Sequence, residues 1–225
     1  MAATAGRPTS ILVSDAVIGY VHPGTVRAEF TASLLGVCME GQTRVRTVIA
    51  LESGPNISTP RNLIVRDFLE DGLAPWLLMA DTDMWFAADA LDRLIAAADP
   101  AERPVVGGLC WSLDKGERFP TMYELTGNPE GALAFRRYAD WPEDTVMRVS
   151  ATGAAFLLMH RDALEKVAAA GGDMAAPWFR ETAVGAPLAL MGEDMTFCLR
   201  CAAAGIPVHV HTGVKVGHMK TQMLI

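Results

Sequence analysis

The sequence predicts an α/β protein: an open, mostly parallel sheet flanked by helices, with a small antiparallel excursion. Short apolar runs alternate with segments whose apolar residues recur at helical spacing, and short loops join them, as the βα repeats of a parallel sheet require. Between Phe119 and about Arg148 the alternation breaks into short extended pieces with turns at "TGNPEG" and "DWPED". That break places the antiparallel excursion in the second half of the chain.

Each element has its own signal. "SILVSDAVIGY" is a β-rich apolar run and a first strand; "GTVRAEFTASLLGVCMEG" has helical periodicity and closes at Gly41. "VRTVIALES" is a second strand, broken by "SGPNIS", after which Thr59 as N-cap and Pro60 as first helical residue open a helix through about Glu70. "APWLLMA" is a third strand, "ADALDRLIAAAD" a helix and "RPVVGGLCW" a fourth strand. Beyond the excursion, "MRVSATGAAFLLMH" reads as one long apolar strand and "RDALEKVAAAGG" as a helix ended by glycines. "LMGEDMTFCLRCAAAG" then reads as a helix stopped by Gly205, and "IPVHVHT" as a last strand.

Bulk properties exclude several functions. At 225 residues, 51% hydrophobic and 20% charged, the chain is globular and long enough to bury a core without disulfides or metals. A net charge of -7 with no basic run argues against nucleic acid, because phosphate backbones demand clustered Lys and Arg. No apolar stretch approaches membrane-spanning length and "MAATAGRPTS" lacks a signal-peptide core, so the expected location is cytoplasmic. Of Cys38, Cys110, Cys198 and Cys201 only the last two are close in sequence, too few for a zinc site, and the expectation is buried free thiols. A chain this apolar also has room for a dimer face.

The chemistry gathers at strand ends, where ligands of open α/β sheets bind. In "PWLLMADTDMWF" an apolar strand runs into Asp81 and Asp83. On extended backbone residues i and i+2 share a side, so both carboxylates can face one hard cation such as Mn²⁺ or Mg²⁺; a helix N-cap is the structural alternative. Arg61 and Asn62 occupy the first turn of the helix after strand two, where a cation opposes the dipole and so points to an anion. In "GEDMTFCLR", Glu193 and Asp194 open a late helix, as ordinary first-turn acids or with one as general base. His209 and His211 alternate along the last strand, whereas His218 follows a glycine in a loop from which it can reach a metal.

Taken in order, strand one, "STPRN", "LLMADTD", "ATGAAFLLMHRDALE", "GEDMTFCLRCAAAG" and the terminal "VGH" resemble the GT-A glycosyltransferases close to the family two type, over nearly the whole chain. The resemblance implies one GT-A (Rossmann-like) domain over 1–225, with a nucleotide-binding half to about 112 and an acceptor-side half from about 113. Asp81, Thr82 and Asp83 then match the element that holds the divalent ion and the nucleotide-sugar, with Asp83 the direct ligand, Asp81 nearer the ribose or a metal water, and His218 a further ligand. Arg61 and Asn62 match the "RN" that borders the nucleotide, and Gly153 falls where the strand passes the donor sugar. Asp194 matches the base of inverting members, with Glu193 beside it against sugar or acceptor. Trp178 in the preceding loop is a candidate to stack on sugar or acceptor, with core packing as its alternative.

The implied reaction moves a sugar from a nucleoside diphosphate donor, a UDP-sugar before a GDP-sugar, to the hydroxyl of an unidentified acceptor. Two departures stand out: "DAVIGY" replaces the proline and small polar pair at the end of strand one, and little chain follows His218, which tells against a lipid-linked acceptor. The competing classes are a non-catalytic nucleotide-sugar-binding module and a sugar-phosphate nucleotidyltransferase. The latter wants a Gly-rich basic loop after strand one, and "SDAVIGYVHPGTVR" has two glycines and one arginine there. A dinucleotide-binding Rossmann protein lacks its G-x-G-x-x-G.

Overall fold

Strand β1 (Asp15–His22) and strand β3 (Trp76–Asp81) set the architecture, because their side chains alternate between two separate apolar cores. Val17, Leu77 and Met79 face one core with Ile64, Val65 and Phe68 of helix α2 (Ser58–Asp71); Ala16, Ile18, Leu78 and Ala80 face the other with Phe30 and Val37 of helix α1 (Ala28–Glu40). A sheet buried on both faces by helices is what near-continuous apolar strands require. The computed structural model describes residues 15–72, 74–127, 133–171, 174–183 and 190–221. The expected strand start at 10–14, the centre of "TGNPEG" and Gly172 lie outside them.

Strand β2 (Arg44–Glu52) pairs parallel with β1, and β1 pairs parallel with β3. After β3 come the short strand β4 (Met84–Trp85), helix α3 (Ala90–Ala97) and strand β5 (Val105–Asp114). The excursion supplies β6 (Glu117–Pro120), β7 (Met122–Gly127), β8 (Leu133–Arg137), β9 (Val146–Val149) and β10 (Ala151–Thr152). Strand β11 (Phe156–His160) and helix α4 (Arg161–Gly171) follow. The chain then runs through β12 (Thr182–Ala183), β13 (Leu190–Met191), helix α5 (Glu193–Ala203) and strand β14 (Val208–His218).

The main sheet has the order β2-β1-β3-β11-β5-β14-β4, with β6 and β9 attached at β5 and β14. The expected mostly parallel sheet is present, but β11 is inserted antiparallel between β3 and β5. The segment expected as one long strand is three, because its chain leaves β9, pairs with β7 through β10, and only then enters the sheet as β11. The helix after strand two starts at Ser58 and not at Pro60, so Thr59 lies inside its first turn; Asn56 Oδ1 accepts the Ser58 N–H at 2.9 Å. Helix α2 ends where Gly72 takes a left-handed φ of 64°. Cys110, Cys198 and Cys201 are buried as expected, whereas Cys38 is exposed on α1. Among the described residues no helix is long and apolar enough to cross a membrane.

Candidate active site

The chain moves outward from β1 to β2 and then returns to β3 on the other side of β1, so loops diverge at the carboxyl ends of β1 and β3 and leave a crevice. A cleft of about 540 Å³ occupies it, lined by Val21 of β1, Pro23 and Arg27 beyond it, Ser53 after β2, and Asp81, Thr82 and Asp83 at and after the end of β3. Asp81 and Asp83 are not helix caps, since Asp89 holds the N-cap position of α3. They also do not share an extended backbone: Asp81 ends β3, while Thr82 and Asp83 form the turn into β4. The two carboxylates therefore take different partners, which corrects the expectation that both face one point.

Asp81 Oδ1 accepts from Arg61 Nη2 at 2.6 Å, and Arg61 Nη1 donates to Glu193 Oε1. Arg61 is 3% exposed. Burial opposes its charge, yet the two carboxylates outweigh that and raise its pKa. The anion that a first-turn cation announced is thus internal, and Arg61 ties the end of β3 to the start of α5 without lining the cleft. Asn62 is likewise spent inside the protein. Its amide donates to Ser58 O and Phe179 O, both at 2.7 Å, and accepts from the N–H groups of Trp178 and Phe179, both at 3.2 Å. All four hydrogen-bonding sites of the side chain are filled, so Asn62 staples α2 to the 178–179 loop and has nothing left for a nucleotide. Trp178 is 5% exposed and donates its indole N–H to Leu164 O at 2.8 Å; it belongs to the core and cannot stack on a sugar.

Asp83 meets His218 across the pairing of β14 with β4, which sets His218 opposite Met84. His218 is the last strand residue, not a loop residue. Its Nε2 lies 2.8 Å from Asp83 Oδ2 and its Nδ1 lies 2.7 Å from Trp111 O. A carbonyl and an ionised carboxylate both only accept, so Nδ1–H donates to Trp111 O and Nε2–H donates to Asp83; release of the Nε2 proton would free that lone pair for a cation. The hydrogen bond that it donates to Asp83 raises the His218 pKa; burial works against the Asp83 carboxylate, but His218 and Lys220 prevail and lower its pKa. One carboxylate and one imidazole, the latter oriented through its second nitrogen, fit a divalent cation that fills its other positions with water and ligand phosphate. Among the described residues no three His, Cys, Asp or Glu side chains form a complete protein cage.

Glu193 and Asp194 open α5. Burial first, and then the charge of Glu193, push the Asp194 pKa up to about 6, against the lowering effects of Arg61 and of the Met195 N–H that it accepts. A carboxyl at that value changes protonation near neutral pH, as a general base should. Gly153, in the turn between β10 and β11, passes close by: a Cβ there would meet Asp194 Oδ2 at 3.5 Å, an ordinary contact, so internal packing does not itself demand glycine. The two groups that sequence reasoning missed are cations. Lys220 lies 3.4 Å from Asp83 Oδ2, and Arg27, the single arginine after β1, donates to Thr221 at 3.0 Å.

A mixed sheet covered by helices, with small antiparallel sheets beside it and carboxylates at its β1/β3 crevice, is a GT-A-like fold. Among solved structures, A197 from STIV superposes with a TM-score of 0.62 at 18% identity, covering 92% of this chain and 86% of its own. GalNAc-T7, crystallised with UDP, GalNAc and Mn²⁺, superposes with a TM-score of 0.55 at 11% identity, covering 94% of this chain and 45% of its own. Likeness at these identities establishes the fold. No protein-family model and no curated protein matches the sequence.

Proposed function

We propose that the protein is a metal-dependent glycosyltransferase that moves a sugar from a nucleoside diphosphate donor, a UDP-sugar or a GDP-sugar, to an acceptor hydroxyl with inversion. The observation that carries this reading is the Arg61 fork, which joins the carboxylate after β3 to the acids that open α5. It fixes the end of β3, two residues before Asp83, beside the start of α5, which carries Asp194.

Asp83 and His218 would hold Mn²⁺ or Mg²⁺, with Asp81 and Thr82 towards the ribose or the water around the ion. Once bound, the divalent ion supplies Lewis-acid stabilisation of the leaving diphosphate. Asp194 accepts the proton of the acceptor hydroxyl while its oxygen bonds to the anomeric carbon and the bond from that carbon to the diphosphate breaks. Arg61 positions Glu193 against sugar or acceptor, and Gly153 leaves room for the donor sugar. The half to about residue 112 serves the donor and the remainder the acceptor.

A thermal-shift panel of UDP- and GDP-sugars, with and without Mn²⁺, tests the reading. One donor should stabilise the protein only with metal, and Asp83→Asn should abolish that dependence. Asp194→Asn should still bind donor but transfer about 10²–10⁴-fold more slowly. No response to any donor would favour a different class, and undiminished transfer by Asp194→Asn would replace inversion with a retaining mechanism.

A further inference from the structure

The segment after β14 bridges two residues that line the proposed donor cleft, Asp83 and Arg27. The Met219 N–H donates to Asp83 O at 2.8 Å, Lys220 Nζ lies 3.4 Å from Asp83 Oδ2, and Thr221 Oγ1 accepts from Arg27 at 3.0 Å. Three residues thus run from the carboxylate on one wall to the arginine on the other. Asp81 and Asp83 line the cleft, and Arg27 is the one cation among its described lining residues, since Arg61 is buried between Asp81 and Glu193.

Asp81 is paired with Arg61, but a diphosphate entering this cleft still adds its own negative charges to that of Asp83, and one divalent cation cannot offset them all. Lys220 sits on the same oxygen that accepts from His218. A divalent cation on Asp83 would repel that ammonium at close range. Lys220 is exposed on a flexible four-carbon stem, free to turn towards an anion a few ångströms away.

We infer that Arg27 and Lys220, joined by the strap Met219–Thr221, form a two-cation clamp for the diphosphate of the donor, with Lys220 leaving Asp83 when the metal arrives. The clamp rests on the donor reading above. Lys220 is a placeholder for the metal in the free protein and a phosphate ligand in the complex. Arg27 holds the opposite wall and is kept in reach of the strap by Thr221.

Titration calorimetry of the full chain with MnCl₂ alone, and then with UDP or GDP in saturating Mn²⁺, separates the two roles. Lys220→Ala should bind Mn²⁺ as well as or better than wild type, because a competing cation is gone. Its affinity for the nucleotide should fall about tenfold, the loss of one charge-assisted contact. Arg27→Ala should show the same nucleotide loss with Mn²⁺ binding unchanged, and Lys220→Arg should recover most of the affinity. Both positions are exposed, so folding is not at stake. Nucleotide affinity equal to wild type in Lys220→Ala and Arg27→Ala, or loss of Mn²⁺ itself in Lys220→Ala, overturns the clamp alone. A wild-type protein that binds neither nucleotide with Mn²⁺ overturns the clamp and the donor reading together.

Discussion

Arg61→Met isolates the contribution of the fork, since it keeps the stem and removes the charge. In the native protein the guanidinium is 3% exposed between Asp81, 29% exposed, and Glu193, 14% exposed. Removing one partner from a buried ionic cluster costs about 3–5 kcal/mol, because the remaining charges are left uncompensated. Water reaches part of Asp81, so the lower end, about 3 kcal/mol, is expected. In a domain of this size that corresponds to a Tm lower by about 6–12 °C. Urea unfolding at pH 7 measures the loss. Arg61 also lowers the pKa of Asp194, so its removal should push the expected acid limb of activity above the pH of about 6 that Asp194 sets. Arg61→Lys should fall between, since an ammonium cannot grip two carboxylates as a planar fork does. A stability loss below about 1 kcal/mol with an unmoved acid limb would refute the cluster as a structural tie, the surface-pair value being about 0–1 kcal/mol.

Four other outcomes are open to measurement. Asp194 must be ionised to accept a proton, so kcat/KM should fall as pH drops through about 6; an acid limb near 4 would place the base elsewhere. Stability has the opposite sign: a carboxyl raised in the folded state contributes stability below its unfolded pKa, and that contribution is lost as pH rises through about 6. Asp194→Asn should therefore flatten the stability profile over that window. Asn62→Ala leaves the Trp178 and Phe179 amides and the Phe179 carbonyl without partners and should cost about 2–4 kcal/mol. Hydrogen exchange should accelerate at those two amides first. Gly19→Ala places a Cβ 2.3 Å from Ile64 Cγ2 where β1 packs on α2. It should destabilise by about 1–3 kcal/mol, with Ile64→Ala partly restoring stability in the same background.

The motif acids were legible because their chemistry is local. Asp81 ends an apolar strand, Asp83 follows it in a turn, and Glu193 and Asp194 open a helix where the periodicity put them. Asn62 is no nucleotide contact and Trp178 takes its core-packing alternative for one reason: an amide or an indole has the same sequence signature whether it points to a ligand or to backbone. Only the 178–179 loop, 116 residues away from Asn62, decides which. Lys220 and Arg27 carry no motif, and their convergence depends on a contact spanning 194 residues.

By itself the sequence determined the alternation of strands and helices, because side-chain periodicity is set by backbone geometry over a few residues. Tertiary structure decided that β11 enters the sheet antiparallel between β3 and β5. An all-apolar strand such as Phe156–His160 satisfies either direction and either neighbour. It also decided that Asp81 turns to Arg61 while Asp83 turns to His218, since the turn at Thr82 breaks the shared face that an extended chain would have provided.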